Sequence, residues 1–420
     1  MRPVCAGIFW IALSTSLNAS WDLGKDLNTS LNEHTHDQLQ TVFEARSRYE
    51  YRPGQGFGTE PDLSAEFVRF RFGLRYKPVS WFRVTAVAMD ARAPWYGTPA
   101  PSSARDPLDL HELQVEIRSE SKLGFGANVG RQAVNLGDTR LIGSPQWAYV
   151  PRMYDGARVY WRGSRIRLEG LFLSPVKLIP GWNKPALSEH VVGTYNSVSL
   201  IKGATVELYD LHRRLNANVR NNSYGAHLFG PLPRAFRYNL EAILQTGHIG
   251  VLPHRANAWS LQLGKRLSVA DKPIDLSVEY KYASGGSRAD RSGTFDQLYP
   301  AAHDKLGHID LLGWRNTRNW KALAVTNVTK SVTLNFMYDN TWLADRRDAL
   351  YNLQGRPIAR SASGTAGSHI GQEADIFGAY KRSGLTLGAG YGYFFIGEFV
   401  RRMTPGTSPH YAYVFQSYTF

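Results

Sequence analysis

The residues with the clearest chemical potential in this sequence are arginines that recur at every second position. Between residues 68 and 76, Arg69, Arg71 and Arg75 alternate with aromatic and aliphatic side chains. A guanidinium group binds a carboxylate through two parallel hydrogen bonds and keeps its charge at any physiological pH. Because an unpaired buried charge is costly, the arginine face must meet water while the opposite face meets an apolar phase. This segment therefore predicts a β-strand with one positively charged face toward water and one apolar face.

Alternation of this kind recurs along the whole chain. Apolar side chains predominate at every second position, with mostly small, polar or charged ones between them, in residues 43–52, 112–118, 237–245, 274–282 and 385–393. No segment is convincingly apolar on both faces, as some strands of a soluble sandwich of this length would be. The pattern predicts antiparallel strands with one apolar and one polar face, which is typical of a transmembrane β-barrel.

Both ends of the sequence fit that interpretation. An apolar run at residues 8–13 follows Arg2 and precedes small and polar residues, which predicts a signal peptide of residues 1–19. Its cleavage would remove Cys5, the single cysteine, and with it any disulfide or thiol chemistry. The last ten residues read as an aromatic strand that ends on Phe420. We expect this ending to engage the machinery that assembles bacterial outer-membrane barrels.

Residues 20–420 are predicted to form one domain, an all-β transmembrane antiparallel barrel with long extracellular loops, and the chain length allows roughly 16–18 strands. A barrel of this width encloses an aqueous lumen unless loops fill it. The long loops are predicted where alternation fails and Pro, Gly and Ser accumulate, at residues 93–109, 174–193, 213–234, 284–316 and 344–372.

Charge gives the first indication of function. The chain carries a formal net charge of +14. Positive charge on the inner faces of the strands predicts a lumen that attracts anions, whereas the same excess placed on loops would leave the lumen unselective. The pore-lining candidates chosen by strand parity are Arg48, Arg69, Arg71, Arg158 and Lys281. The alternative is that these side chains only hydrate the inner wall. Nucleic acid is not an expected partner of a secreted barrel.

A denser group of motifs lies between residues 130 and 156. Gly-Arg-Gln occupies 130–132, Gly-Asp-Thr-Arg-Leu-Ile-Gly occupies 137–143, and Trp147 precedes Arg-Met-Tyr-Asp-Gly at 152–156. Their order and spacing resemble those of the alginate-export family of bacterial outer-membrane proteins. Thr-Phe-Asp-Gln-Leu-Tyr-Pro, which ends at Pro300, is similar to a further motif of that family.

The resemblance implies a monomeric barrel of about 18 strands. Its arginine-rich, anion-selective constriction would let a polyuronate such as alginate leave the periplasm. The resemblance also implies localisation in the bacterial outer membrane, contact with outer-membrane lipids and cooperation with periplasmic secretion components. The positions that match the family motifs are Arg131, Asp138, Arg140, Arg152 and Asp155. Two interpretations of these residues stay open, because they either line the anion path or form an Arg–Asp network that fixes the inner wall.

Enzymatic function has little support in the sequence. A hydrolase needs a Ser, a His and an acid in contact, and the suggestive clusters are only Ser188-Glu189-His190 and the pair His34 and His36. The two paired histidines lack an evident third metal ligand. We therefore expect no catalytic residue, no metal site and no cofactor.

The sequence thus favours an outer-membrane channel that exports an anionic polysaccharide, with a passive anion-selective porin for small solutes as the second hypothesis. An envelope enzyme built on a barrel is the third. Exporter and porin share fold and charge, so the sequence leaves the solute and the direction of transport open.

Overall fold

The computed structural model describes residues 23–97, 100–121, 123–179, 181–269, 272–286, 288–303 and 305–420. Within these residues, eighteen antiparallel strands form one closed barrel, as the alternation predicts. The predicted signal peptide of residues 1–19 lies outside the described residues.

The strands of the barrel follow one another around the wall in chain order. They are β1 (Leu39–Arg52), β2 (Leu63–Val79), β3 (Phe82–Arg92), β4 (Asp106–Arg118), β5 (Gly124–Gln132), β6 (Tyr154–Arg162), β7 (Ile166–Lys177), β8 (Glu189–Ser199), β9 (Thr205–Leu215), β10 (Val219–Leu232), β11 (Phe236–Ile249), β12 (Leu252–Val269), β13 (Lys272–Ala283), β14 (Thr317–Asn327), β15 (Val332–Leu343), β16 (His369–Arg382), β17 (Leu385–Ile396) and β18 (His410–Thr419).

The connections contain little other regular structure. Helix α1 (Leu23–Thr35) precedes β1, and helix α2 (Glu398–Met403) lies between β17 and β18. The remaining short elements are the 3₁₀ turns Gln55–Gly58 and Ile201–Gly203 and the strands Lys184–Pro185, Ala349–Tyr351 and Pro357–Arg360. No helix in the described part of the chain is long and apolar enough to cross a membrane.

The barrel closes between its first and last strands, since β1 pairs with both β2 and β18. The backbone N–H of Phe43 donates to the carbonyl of Phe420 at 3.0 Å, and the N–H of Phe420 donates back at 3.1 Å. Their rings stack with centroids 5.0 Å apart. Closure removes the unpaired strand edges that an apolar phase could not satisfy.

Strand parity sorts the side chains as the sequence predicts. On β2, Phe70, Phe72 and Leu74 point outward and are 43%, 48% and 46% exposed, whereas Arg69 points inward and is 5% exposed. The outward surface of the barrel is therefore apolar, and the charged faces of the strands line its interior.

The two ends of the barrel differ. At one end, which we call the turn rim, short turns such as residues 80–81 and 383–384 join the strands. At the other end, the loop rim, the connections include residues 93–105, 344–368 and two longer inward-folding segments. We name these segments inner loop A, residues 133–153, and inner loop B, residues 284–316.

The predicted loop at 213–234 is wrong. Strand β9 continues to Leu215 and β10 begins at Val219, so the segment is a strand pair joined by a tight turn. Polar residues on its outward face, including Arg214, Arg220 and Asn222, interrupt the apolar alternation and make the strands look like a loop. Inner loop A was not predicted as a loop insertion. The predicted boundaries of 284–316 match the structure.

Inner loops A and B fill part of the lumen. Val134 and Ile142 of inner loop A and Phe295 of inner loop B are fully buried, in one hydrophobic core with inward residues of the wall such as Leu173 and Val191. The two loops also pair with each other, because the N–H of Gly143 donates to the carbonyl of Tyr299 at 2.9 Å, and the N–H of Tyr299 donates to the carbonyl of Leu141 at 2.8 Å. They form one unit that is fastened to the wall.

Candidate functional site

An arginine-lined cavity lies on the loop-rim side of the inner loops. Its volume is about 690 Å³, and we call it the vestibule. The charged residues among its described lining are Arg48, Arg52, Arg152, Arg213, Arg315, Glu60, Asp296 and Asp310. The excess of guanidinium groups over carboxylates makes this cavity a candidate anion site.

Glu50 organises one side of the vestibule. This carboxylate is fully buried on β1 and lies 2.6 Å from Nε of Arg48 and 2.7 Å from Nε of Arg52. The hydroxyl groups of Tyr149 and Tyr411 donate to it at 2.5 and 3.0 Å. Glu50 therefore fixes two arginines in place and offsets part of their charge.

Four arginines of β1 and β2 hold inner loop A against the wall. Nη1 of Arg46 donates to the carbonyl of Gln146 at 3.0 Å, and Nη1 of Arg48 donates to the carbonyl of Trp147 at 2.7 Å. Nη1 of Arg69 donates to the carbonyl of residue 148 at 2.7 Å. Nη1 of Arg71 donates to the side-chain oxygen of residue 146 at 2.9 Å. We call Arg46, Arg48, Arg69 and Arg71 the arginine wall.

Trp147 joins the arginine wall to inner loop B. The guanidinium of Arg48 lies 4.1 Å from the centre of the indole, and that of Arg46 lies 4.8 Å from it. The ring of His303 stacks on the indole at 4.8 Å, and Asp310 accepts a hydrogen bond from Nδ1 of His303 at 2.8 Å. Cation–π contact and stacking thus connect three parts of the structure at one indole.

Arg140 is locked in a network of carboxylates. Its guanidinium forms ion pairs with Glu279, with Glu241 at 3.3 Å and with Asp138 at 3.6 Å. Burial alone would lower the pKa of Arg140, but the three carboxylates outweigh it and raise the pKa above its usual value. This motif residue therefore anchors inner loop A to β11 and β13 through Glu241 and Glu279.

Arg131 and Arg158 are also engaged by acids on neighbouring strands. Two nitrogens of Arg131 donate to the two oxygens of Asp155, each at 2.9 Å, which is the bidentate arrangement that guanidinium and carboxylate favour. Nε of Arg158 donates to Glu169 at 2.5 Å. These pairs join β5 to β6 and β6 to β7.

Lys281 lies under inner loop B. Only 1% of the residue is exposed, its ammonium is 3.3 Å from Glu279 and 4.0 Å from Asp339, and it donates to the carbonyl of Lys305. Strand parity predicted its inward direction, but the loop that covers it could not be inferred from its own strand. Its contacts hold the loop in place.

Arg213 holds the middle of inner loop B. Nη1 donates to Asp296 at 2.6 Å, Nη2 donates to Glu189 at 3.1 Å, and Nε donates to the hydroxyl of Tyr299 at 2.9 Å. Burial raises the pKa of Asp296, but Arg213 and Arg315 outweigh burial and hold it below the usual value.

Arg152 and Arg46 differ from the arginines of the site described so far, because no carboxylate in the described part of the chain lies within ion-pair distance of either. Arg152 donates to the carbonyls of Pro300 at 3.0 Å and Gly143 at 3.3 Å. Arg46 donates to a carbonyl and rests on Trp147, and its Nη2 is buried with no hydrogen-bond partner. Within the described residues, neither guanidinium is offset by an adjacent acid.

Four arginines of this site were not predicted from the sequence. Arg46 and Arg52 share the parity of Arg48, so the alternation could have found them. Arg213 and Arg315 lie in segments that were predicted as loops, and no pattern in the sequence places them inside the barrel.

The residues with catalytic or metal-binding potential do not converge. Glu189 points inward to Arg213, whereas His190 points outward and stacks on Phe172 at 5.5 Å. Across the described ranges, no group of three or more His, Cys, Asp or Glu side chains is arranged to hold a metal ion.

Comparison with known proteins agrees with this architecture. Residues 37–415 match the family model described as alginate export. No curated protein matches the chain with significance. Similar solved structures include OpdQ of Pseudomonas aeruginosa, with 12% identity and a TM-score of 0.65 over 91% of this chain and 97% of that one.

Two further solved structures have the same likeness. OpdK of Pseudomonas aeruginosa with vanillate has 13% identity and a TM-score of 0.64 over 92% of this chain and 99% of that one. A BenF-like porin of Pseudomonas fluorescens Pf-5 has 11% identity and a TM-score of 0.63 over 92% and 99%. At such identities the likeness shows the fold alone.

The family match covers nearly the whole barrel, and the fold is that of outer-membrane porins, which confirms the predicted family and localisation. Family and fold are those of transport channels. The chain therefore belongs to the alginate-export family and forms a β-barrel channel of the bacterial outer membrane.

Proposed function

We propose that this outer-membrane channel is anion-selective and exports an anionic polysaccharide, such as alginate or another polyuronate. Family membership supports the substrate class, since the matching family is described as alginate export. A polyuronate carries one carboxylate on each sugar, which makes guanidinium groups its natural partners.

The observation that carries the proposal is the pair of unneutralised arginines beside inner loop A. Arg152 lines the vestibule, and Arg46 lies on β1 one inward position closer to the turn rim than Arg48. Neither has an ion-pair partner among the described residues, so no acid of the protein offsets the charge that each contributes to the path. Arg315 adds a third weakly paired group, because its nearest carboxylate oxygen, on Asp296, is 3.9 Å away.

Conduction requires sites that attract a solute without holding it. Acids beside the path limit how tightly an anion is held, because Glu50 already forms ion pairs with Arg48 and Arg52, and Glu44 forms one with Arg69. A carboxylated polymer would meet a few free guanidinium groups separated by neutralised ones. Its charges could then exchange from one arginine to the next.

A second candidate function is passive passage of small carboxylates. OpdK, which shares the fold, has been solved with vanillate, a small aromatic acid. Inner loops A and B share one buried hydrophobic core inside the barrel, which favours a narrow path through the lumen. A narrow path suits a small solute as well as a single extended polymer.

Ion conductance through single channels in planar bilayers separates these functions. Polyuronate oligomers of increasing length are added to one side, with neutral dextran of equal size and the monomeric uronate as controls. The exporter proposal predicts interruptions of current whose duration grows with oligomer length and which dextran does not cause. Interruptions by the monomer alone would favour the small-solute porin, and equal block by dextran would contradict both.

A further inference from the structure

A row of basic side chains lies on the outer surface of the barrel, where the wall meets the loop rim. In the strand register, His190 lies opposite Arg214, Arg214 opposite Arg220, and Arg220 opposite His248. These four residues, which we call the basic row, cross β8, β9, β10 and β11 without a gap. These basic residues interrupt the apolar alternation of β9 and β10, which is why the sequence pattern predicted a loop there.

The direction of the basic row follows from its neighbours in the chain. Arg213 points inward to Asp296 of inner loop B at 2.6 Å, and Asn221 is fully buried and donates to the same carboxylate at 3.3 Å. Successive side chains of a strand point to opposite faces. Arg214 and Arg220 therefore point away from the lumen.

The apolar surface next to the row locates it relative to the membrane. Leu208, Leu244 and Tyr224 are 53%, 63% and 46% exposed on the same outward face. Tyr224 lies on β10 four positions closer to the turn rim than Arg220, a separation of about 10 Å along the membrane normal for a tilted strand. Aromatic side chains of barrels lie at the membrane interface, so the basic row is at the level of the lipid headgroups.

The arginines of the row are not neutralised by the protein. Arg214 and Arg220 are direct cross-strand neighbours, a placement that is destabilising for like charges without a counter-ion. Arg214 donates through Nη1 to Asn222 at 3.1 Å. Within the described ranges, no carboxylate lies within ion-pair distance of Arg214, Arg220 or the exposed Arg255 on β12.

One acid, Asp210, lies on the same outward face, but its carboxylate already accepts hydrogen bonds from neighbouring side chains. Asp210 accepts from Nε2 of His212 at 2.9 Å and from the hydroxyl of Thr194. The His212 ring also contacts Asn222 at 3.0 Å through Nδ1. These contacts form a closed polar group beside the basic row and leave the arginines without an acidic partner.

We propose that the basic row and Arg255 bind a phosphorylated glycolipid of the outer leaflet of the outer membrane. Short turns of bacterial barrels face the periplasm, so the loop rim and the row face the outer leaflet. Phosphate is the doubly charged acceptor that guanidinium groups bind bidentately. Four strands about 4.8 Å apart spread the row over roughly 14 Å, which suits a headgroup with two separated phosphates.

Binding of purified lipid A to the full mature chain in detergent tests this proposal. Diphosphoryl lipid A is titrated and counted by native mass spectrometry, with fully dephosphorylated lipid A as the reference lipid. The variant is Arg214→Gln with Arg220→Gln. We expect it to weaken the binding of diphosphoryl lipid A by roughly tenfold or more, because it removes two charge-assisted contacts.

Arg318 offers a matched control. It is an exposed outward arginine on β14, but its register neighbours are Tyr282 and Trp342 rather than basic residues. Arg318→Gln should leave lipid A affinity unchanged. Heat-dependent mobility of the folded barrel on a gel confirms that each variant is folded.

Three results would overturn the proposal. Equal affinity for dephosphorylated lipid A would exclude phosphate recognition, and an equal loss in Arg318→Gln would exclude this site. A wild-type dimer that the double variant converts to a monomer, with lipid A affinity unchanged, would make the row an interface between copies.

Discussion

Arginine has two roles in this protein, and the partner of each guanidinium decides which. Arg131 and Arg140 satisfy the family motif and are held by carboxylates. Arg46 and Arg152 donate to backbone carbonyls and have no carboxylate within ion-pair distance among the described residues. Strand parity predicts the direction of an arginine on a strand, but not whether an acid from a distant strand neutralises it. The motif alone therefore could not separate anchors from path residues.

The unpaired arginines should control ion selectivity. We expect Arg46→Gln with Arg152→Gln to lower the anion-to-cation permeability ratio by a factor of about two to ten, because it removes two charges beside a confined path. Reversal potentials under a salt gradient measure the ratio, and Arg318→Gln is the control of equal charge type outside the lumen. An unchanged ratio in the double variant would assign selectivity to other residues.

Arg140 should act on stability instead. Arg140→Gln leaves Glu241 and Glu279 buried without their shared partner, and removal of one member of a buried ion pair typically costs about 3–5 kcal/mol. Denaturant unfolding followed by tryptophan fluorescence should show this loss. A variant as stable as the wild type would mean that the network does not anchor inner loop A.

At the scale of elements, the wall could be predicted from the sequence and the inner loops could not. Alternation depends only on neighbouring residues, so a strand such as β2 can be predicted from its own sequence. Inner loop A is buried by contacts with β1, β2, β11 and β13, which are distant in sequence, and its apolar residues have no period. The boundaries of inner loop B could be predicted because the alternation of apolar and polar residues stops at residue 284 and resumes near residue 317.

Asp296 should make the attachment of inner loop B depend on pH. Its pKa is lower in the folded protein than in the unfolded chain, where it is about 3.9. Its ion pairs therefore stabilise the loop fully above that pH and are lost as pH falls through the folded value. We expect protease protection of residues 284–316 to persist at pH 5 and to fall below about pH 4. In the Asp296→Asn variant, the loop should be only weakly protected from protease at either pH. Equal protection in variant and wild type would contradict this role of Asp296.

Trp147 should set the rigidity of inner loop A. Trp147→Ala removes the ring that joins Arg46, Arg48 and His303, so we expect a noisier and larger single-channel current. Trp320→Ala changes an outward indole that is 51% exposed and should leave the current unchanged. A quiet, wild-type current in Trp147→Ala would show that other contacts suffice to hold the loop.

At the scale of the whole molecule, the fold class of the protein follows from repetition of one local rule, and the length of the chain limits the number of strands. Most strands have an apolar outward face, and in an apolar phase such a sheet satisfies all its backbone groups only when it closes. The solute is not determined in this way, because it depends on which few lumen charges remain unpaired after the inner loops have folded.

The central claim is that these unpaired charges make the lumen anion-selective. The most direct test is the reversal potential of the purified mature protein in a planar bilayer under a tenfold gradient of potassium chloride. We predict a reversal potential of the sign that chloride preference gives, which diminishes at high salt as the arginines are screened. A reversal potential of the opposite sign, or the absence of conductance, would contradict an arginine-lined anion path.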